Sequence, residues 1–271
     1  MASGKRRVRT TGGGCPVVAD WVVYLLAPFI GSFLGVLIRR WPAGRPVAYG
    51  RSCCDHCGAP LAPRDLVPLV SWLLARGRCR RCKAPIGEFY PLVELAALGV
   101  VVWAGTLDTE AALWLDCLLG WGLLTLAWID AEHLLLPDIL TLPLILFGLG
   151  AAWYLRWPPL VDAAAGAAVG YLSFRLLALA YRWLRGRDGL GAGDAKLLAA
   201  GGAWLGWQAL GDVVLGAALA GILWFIATRR PGTDEPRSDE PPAAGPAELP
   251  FGPALAVAIW IVRLYGPFIG S

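Results

Sequence analysis

An all-α polytopic integral membrane protein is the fold class this sequence predicts, on three observations. Apolar runs of membrane-spanning length recur along the chain, the composition suits lipid more than water, and the one long polar segment between runs is dense in Arg and Cys. Of 271 residues, 57% are hydrophobic and 16% charged, with a mean hydropathy of +0.57, far from an average soluble domain. The net charge of +4 is small. Basic residues gather at the ends of apolar runs, which reads as membrane topology and lipid-headgroup contact and argues against nucleic acid as a partner. Several of the 14 Trp (Trp21, Trp41, Trp157, Trp183, Trp207) fall near predicted span ends, as an interfacial belt would have them.

The basic tail 1–14 and the apolar run 17–38 resemble the start of a signal peptide, but the run is too long and no small-residue cleavage site follows, so it predicts a first span. The polar segment 39–89 comes next. Further runs at about 90–107, 112–129, 139–155, 160–184, 195–207, 209–227 and 253–269 bring the expectation to about eight transmembrane helices, the sixth short and glycine-rich. The expected organisation is therefore 1–38, tail and first helix; 39–89, a polar loop domain; and 90–271, a membrane domain with a Pro- and acid-rich linker at about 229–250. No internal repeat is evident.

The loop carries Cys54-Asp55-His56-Cys57 and Cys79-Arg80-Arg81-Cys82. A CxxC turn points two sulfurs at one tetrahedral corner, and two such turns supply the four thiolates of a structural zinc site; two disulfides are the alternative. Arg39, Arg40, Arg45, Arg51, Arg64, Arg76, Arg78, Arg80, Arg81 and Lys83 place this loop in the cytosol by the positive-inside rule, where thiols stay reduced. Alternation then puts 130–138, 182–194 and 228–252 on the same side. The basic N-terminus dissents from that topology.

Ionisable groups in or beside spans are costly, and each is a functional candidate: Glu94, Asp116, Asp130, Asp138, Asp162, Asp194 and Asp212. Asp130 and Asp194 fall at the cytosolic boundary, so they can meet in space. Asp194 closes Gly191-Ala192-Gly193-Asp194, where glycines admit close backbone approach; a plain N-cap is the competing reading. Pro137 and Asp138 fit the start of the next helix, which gives Asp138 a structural task and leaves Asp130 without one. Two carboxylates a few ångströms apart share a proton, one activating water and the other protonating a scissile carbonyl, which is aspartyl proteolysis. His133 is read as an interfacial residue. No serine or cysteine nucleophile set is evident, because His56 lies inside the cysteine loop and Cys15 and Cys117 have no base beside them.

Taken together, Gly31-Ser32-Phe33-Leu34-Gly35-Val36-Leu37-Ile38-Arg39-Arg40, the paired CxxC loop with Asp65-Leu66-Val67-Pro68 and Ser71-Trp72-Leu73 inside it, Tyr90-Pro91-Leu92-Val93-Glu94, the Asp130–Asp138 segment and Gly191-Ala192-Gly193-Asp194-Ala195-Lys196 resemble the bacterial prepilin leader peptidase/N-methyltransferase family, with its GxGD aspartic protease motif. The likeness spans most of the chain in order. It departs at Gly35, where the family usually has Asn, and at Asp55, where it usually has Pro. The resemblance implies a multi-pass inner-membrane enzyme that removes the basic leader of type IV prepilins or type II secretion pseudopilins on the cytosolic side. It then methylates the new N-terminal amine with S-adenosylmethionine. It further implies Asp130 and Asp194 as the catalytic pair, Cys54, Cys57, Cys79 and Cys82 as zinc ligands, and 39–89 as the methyltransferase-associated part. No residue is assigned to the methyl donor. Glu94, Glu132 and Asp188 are the acidic candidates for meeting a basic leader. Two other classes remain open: a zinc-stapled transporter using Asp116, Asp162 and Asp212 as proton carriers, and a non-enzymatic assembly subunit.

Overall fold

The computed structural model describes residues 18–47, 52–54, 56–186, 191–228 and 250–268. Cys15, Arg51, Asp55, Arg187, Asp188, the basic tail and linker residues 229–249 lie outside the described residues. Among these described residues the fold is all-helical: α1 Val18–Arg40, α2 Val70–Leu74, α3 Phe89–Gly105, α4 Glu110–His133, α5 Asp138–Leu155, α6 Leu160–Arg185, α7 Ala192–Leu205, α8 Leu210–Thr228 and α9 Gly252–Tyr265. Five helices are long and apolar enough to cross a membrane: Asp20–Arg40, Glu110–His133, Asp138–Leu155, Leu160–Arg185 and Trp207–Ala227. Phe89–Gly105 and Gly252–Tyr265 are shorter apolar helices. Eight helices thus stand where apolar runs predict them. The short α2 inside the polar loop was not foreseen.

The chain forms two compact units, Met1–Thr125 and Leu126–Gly270, with the division inside α4. In the first, α1 packs along α3. Their loop-side ends are joined by the Arg39 guanidinium, 4.1 Å from the centroid of the Phe89 ring.

The second unit is built around α7. Every residue from Asp194 to Leu205 except Lys196 is buried, the pattern of a helix enclosed on all sides. It packs against α5, α6, α8 and α9. Small residues permit this: a Cβ on Gly202 would collide with the carbonyl of Gly166, so α6 and α7 touch backbone to backbone. Trp204 is buried and donates its Nε1–H to the carbonyl of Leu144 at 2.9 Å, tying α7 to α5, while its own carbonyl accepts from Arg263 of α9 at 3.3 Å. The glycines that made this run look weak are thus its packing surface. Outward faces of α5, α6 and α8 carry exposed Leu146, Trp153, Leu176, Leu223 and Trp224, side chains that suit lipid.

Candidate functional site

Local helix geometry sets the two aspartates. α4 runs four residues beyond the expected run, so Asp130 lies in its last turn. A carboxylate there opposes the helix dipole. The cost is offset by α9: the amide of Gly252, at that helix's start, donates to Asp130 Oδ2 at 3.0 Å. Asp194 is not the N-cap. Gly191 holds that position, and Asp194 is the third residue of α7, in its first turn, where the dipole favours an anion. Its carboxylate turns back toward the Gly191 amide.

Both side chains are largely buried, yet both line one cavity of about 270 Å³ with Leu134–Leu136, Gly191 and Lys196. Gly193 brings the wall in, since a Cβ there would stand 2.7 Å from Leu136 Cβ. Lys196 pairs with Asp138, linking α7 to the first turn of α5. Asp138 lies in the first turn of α5, as expected, although that helix begins at Asp138 itself, with Pro137 as its N-cap.

The remaining acids are placed differently. Asp116 is fully buried within α4. Asp162 and Asp212 lie in first helical turns and are occupied: Asp162 accepts from Gln208 Nε2 at 3.1 Å and Asp212 from the amide of Phe268 at 3.2 Å. These are positions for fixed acceptors more than for proton carriers. Glu94 is only 5% exposed, and its Oε2 accepts the Leu69 amide at 2.7 Å, so its carboxylate is already engaged within the first unit. Glu132 accepts from Trp128 Nε1 at 3.0 Å and lies 3.8 Å from His133 Nε2.

In the first unit the four CxxC sulfurs converge. Cys54, Cys57, Cys79 and Cys82 have all their Sγ atoms within 4.8 Å of one another, with Cys54 and Cys82 at 3.9 Å. A tetrahedral zinc with Zn–S bonds of about 2.3 Å needs sulfurs about 3.8 Å apart, so the set fits. Cys53 is exposed and outside the group. The structure also exposes a repeat that the sequence reading missed. Cys54-Asp55-His56-Cys57-Gly58-Ala59-Pro60 and Cys79-Arg80-Arg81-Cys82-Lys83-Ala84-Pro85 share one sequence pattern, Cys-x-x-Cys-x-Ala-Pro. In each, the first Cys amide donates to the Ala carbonyl at 2.9 Å, and the residue after the second Cys has positive φ, 66° at Gly58 and 62° at Lys83.

The electrostatics fit a cation. The backbone N–H groups of Cys82 and Arg81 hold the Cys79 thiol down at about 6. At Cys82 the Ala84 amide pulls down, but desolvation and the neighbouring thiols push it up to about 11. Four sulfurs this close resist ionising together unless a dication joins them.

Two family models match the chain: the bacterial peptidase A24 N-terminal domain over residues 25–107 and the type IV leader peptidase family over residues 117–226. Curated relatives named prepilin leader peptidase/N-methyltransferase include one from Aeromonas hydrophila, 40% identical and covering 94% of each chain. Another, from Pseudomonas aeruginosa, is 39% identical over 89% of each chain. A third, from Dickeya chrysanthemi, is 41% identical over 86% of this chain and 88% of its own. No solved structure matches.

Proposed function

Since this chain belongs to the bacterial prepilin leader peptidase/N-methyltransferase family, we propose that it cleaves the leader of a type IV prepilin or type II secretion pseudopilin at the cytosolic face of the inner membrane, with Asp130 and Asp194 as the catalytic pair. One observation carries the reading. The two carboxylates come from helices remote in sequence, yet they line the same cavity. No assembly subunit needs that arrangement.

In the reaction, the scissile peptide enters the cavity beside Leu134–Leu136. One aspartate, ionised, takes a proton from a water that attacks the carbonyl carbon. The other, protonated, gives its proton to the carbonyl oxygen. The first then passes the water's proton to the leaving nitrogen while the second takes a proton back from the gem-diol, so the tetrahedral species collapses to the new acid and the new amine and the pair is reset. The Gly252 amide keeps Asp130 oriented, and α7 keeps Asp194 near it. No covalent enzyme intermediate forms.

Zinc held by Cys54, Cys57, Cys79 and Cys82 would supply folding energy to the loop and no chemistry. Methyl transfer from S-adenosylmethionine to the new N-terminus is the second half of the reading. It follows from family membership, and no step here is routed through the donor. The five long helices and the shorter apolar α3, α7 and α9 are taken to form the membrane body, with the basic loop facing the cytosol.

The test is incubation of the purified full chain with a prepilin in detergent, with and without S-adenosylmethionine, followed by mass spectrometry. The expected products are a substrate shorter by its leader and, with the donor, the same product heavier by one methyl group. Intact prepilin after incubation with folded protein overturns the peptidase assignment; cleavage with no mass gain overturns the methyl-transfer half.

A further inference from the structure

We infer that the segment around α2 is a membrane-interfacial anchor that seats the cysteine loop on the anionic phospholipids around it. The inference is independent of the peptidase reading. α2 presents the wrong face for a soluble loop: Trp72 turns inward, donating Nε1–H to the Ile86 carbonyl at 3.4 Å, while Val70, Leu73 and Leu74 share the outer face, Leu73 66% and Leu74 72% exposed. The apolar face adjoins cations. Leu74 lines the same concavity as Arg76, Arg78 and Lys83, whereas Arg80, also there, is already paired with Asp65 at 2.7 Å.

Position is what turns an exposed patch into a docking surface. The buried Glu94 carboxylate takes the Leu69 amide, immediately before α2, at 2.7 Å. Glu94 lies five residues beyond Phe89 in α3, about 7.5 Å along the axis at 1.5 Å per residue, so this bond ties the start of α2 to the side chain of an apolar helix. Interfacial helices lie with their apolar face in the headgroup boundary, which is the placement proposed for α2. The Arg39–Phe89 contact holds the ends of α1 and α3 together. In that placement the apolar side chains meet acyl chains, and the long cationic ones beside them reach phosphates.

The experiment is hydrogen exchange of residues 66–80 with the full chain in nanodiscs of phosphatidylcholine alone or with phosphatidylglycerol added. Anionic discs should slow exchange relative to neutral ones, by roughly fivefold for each cation that reaches a phosphate. Raising salt should reverse the effect on the unaltered chain, with no mutation involved. Arg76→Gln/Arg78→Gln should lose most of the lipid-dependent protection, and Arg76→Lys/Arg78→Lys should keep it. Equal exchange in both discs, or protection already complete in neutral detergent micelles, overturns the proposal; the latter would assign the face to another part of this chain or to a second copy.

Discussion

The amide of Gly252 and the carboxylate of Asp130 are hydrogen-bonded at 3.0 Å, 122 residues apart in sequence. This contact joins the first residue of α9 to the last turn of α4. It leaves no room for a side chain, because a Cβ on Gly252 would stand 2.5 Å from Asp130 Oδ2 and 2.8 Å from its Cγ. Gly252→Ala is therefore expected to push the carboxylate out of place. A displacement near 1 Å costs a positioned reaction about 10²-fold. Leader cleavage should fall by that order while the amount of protein in the membrane stays the same. Undiminished cleavage would show that Asp130 does not need this amide.

If Asp130 and Asp194 divide the roles of base and acid, neither can work alone. Asp130→Ala and Asp194→Ala should each abolish leader removal without altering membrane insertion, and Asp→Asn at either position should do nearly as much harm. General acid–base groups contribute about 10²–10⁴-fold each. The pair should also be strongly non-additive: the double variant should be little worse than either single one. Ordinary processing by any of these variants would reject the assignment.

The metal prediction separates four cysteines from a fifth. Cys79→Ser should lower bound zinc and make segment 52–86 sensitive to protease, because removing one thiolate opens the tetrahedron. Cys53→Ser should leave zinc content unchanged, since that thiol stands outside the cluster. Elemental analysis of purified protein decides both. Equal zinc in Cys79→Ser and the unaltered chain would point to a different ligand set.

What could be read in the sequence had a local signature. The spacing within each CxxC pair encodes a sulfur corner, and apolar runs of lipid length encode α1, α4, α5, α6 and α8. Asp130 and Asp194 surfaced because a carboxylate near lipid is expensive without a task. The Cys54–Pro60 and Cys79–Pro85 repeat was legible too, but it is short and its variable positions conceal it. Gly252 was not legible. Phe251-Gly252-Pro253 announces only a helix start, and nothing local tells which distant carboxylate its amide will meet. Glu94 misled for the same reason: an acid in an apolar run invites a ligand, but its partner is the backbone of Leu69. The Asp194 N-cap reading failed because Gly191 takes the cap and α7 begins two residues before the aspartate.

The second glycine of the Gly191–Asp194 motif gives the last prediction. Gly193 faces Leu136, with a would-be Cβ 2.7 Å from Leu136 Cβ and 3.0 Å from its Cδ1. The obstruction is a Cβ on the chain segment between α4 and α5, not the tip of a flexible side chain, so Gly193→Ala cannot be absorbed by a rotamer change. It must push 134–137 away from α7 and widen the cavity between the leucines and Asp194. Cleavage should drop roughly 10²-fold, with little change in how much protein inserts. Leu136→Gly removes the opposing atoms, so Gly193→Ala/Leu136→Gly should recover part of the loss relative to Gly193→Ala alone. The interaction energy expected of such touching residues is about 0.5–3 kcal/mol. Losses that simply add, measured on one prepilin in detergent, would mean that Gly193 matters for some reason other than its approach to Leu136.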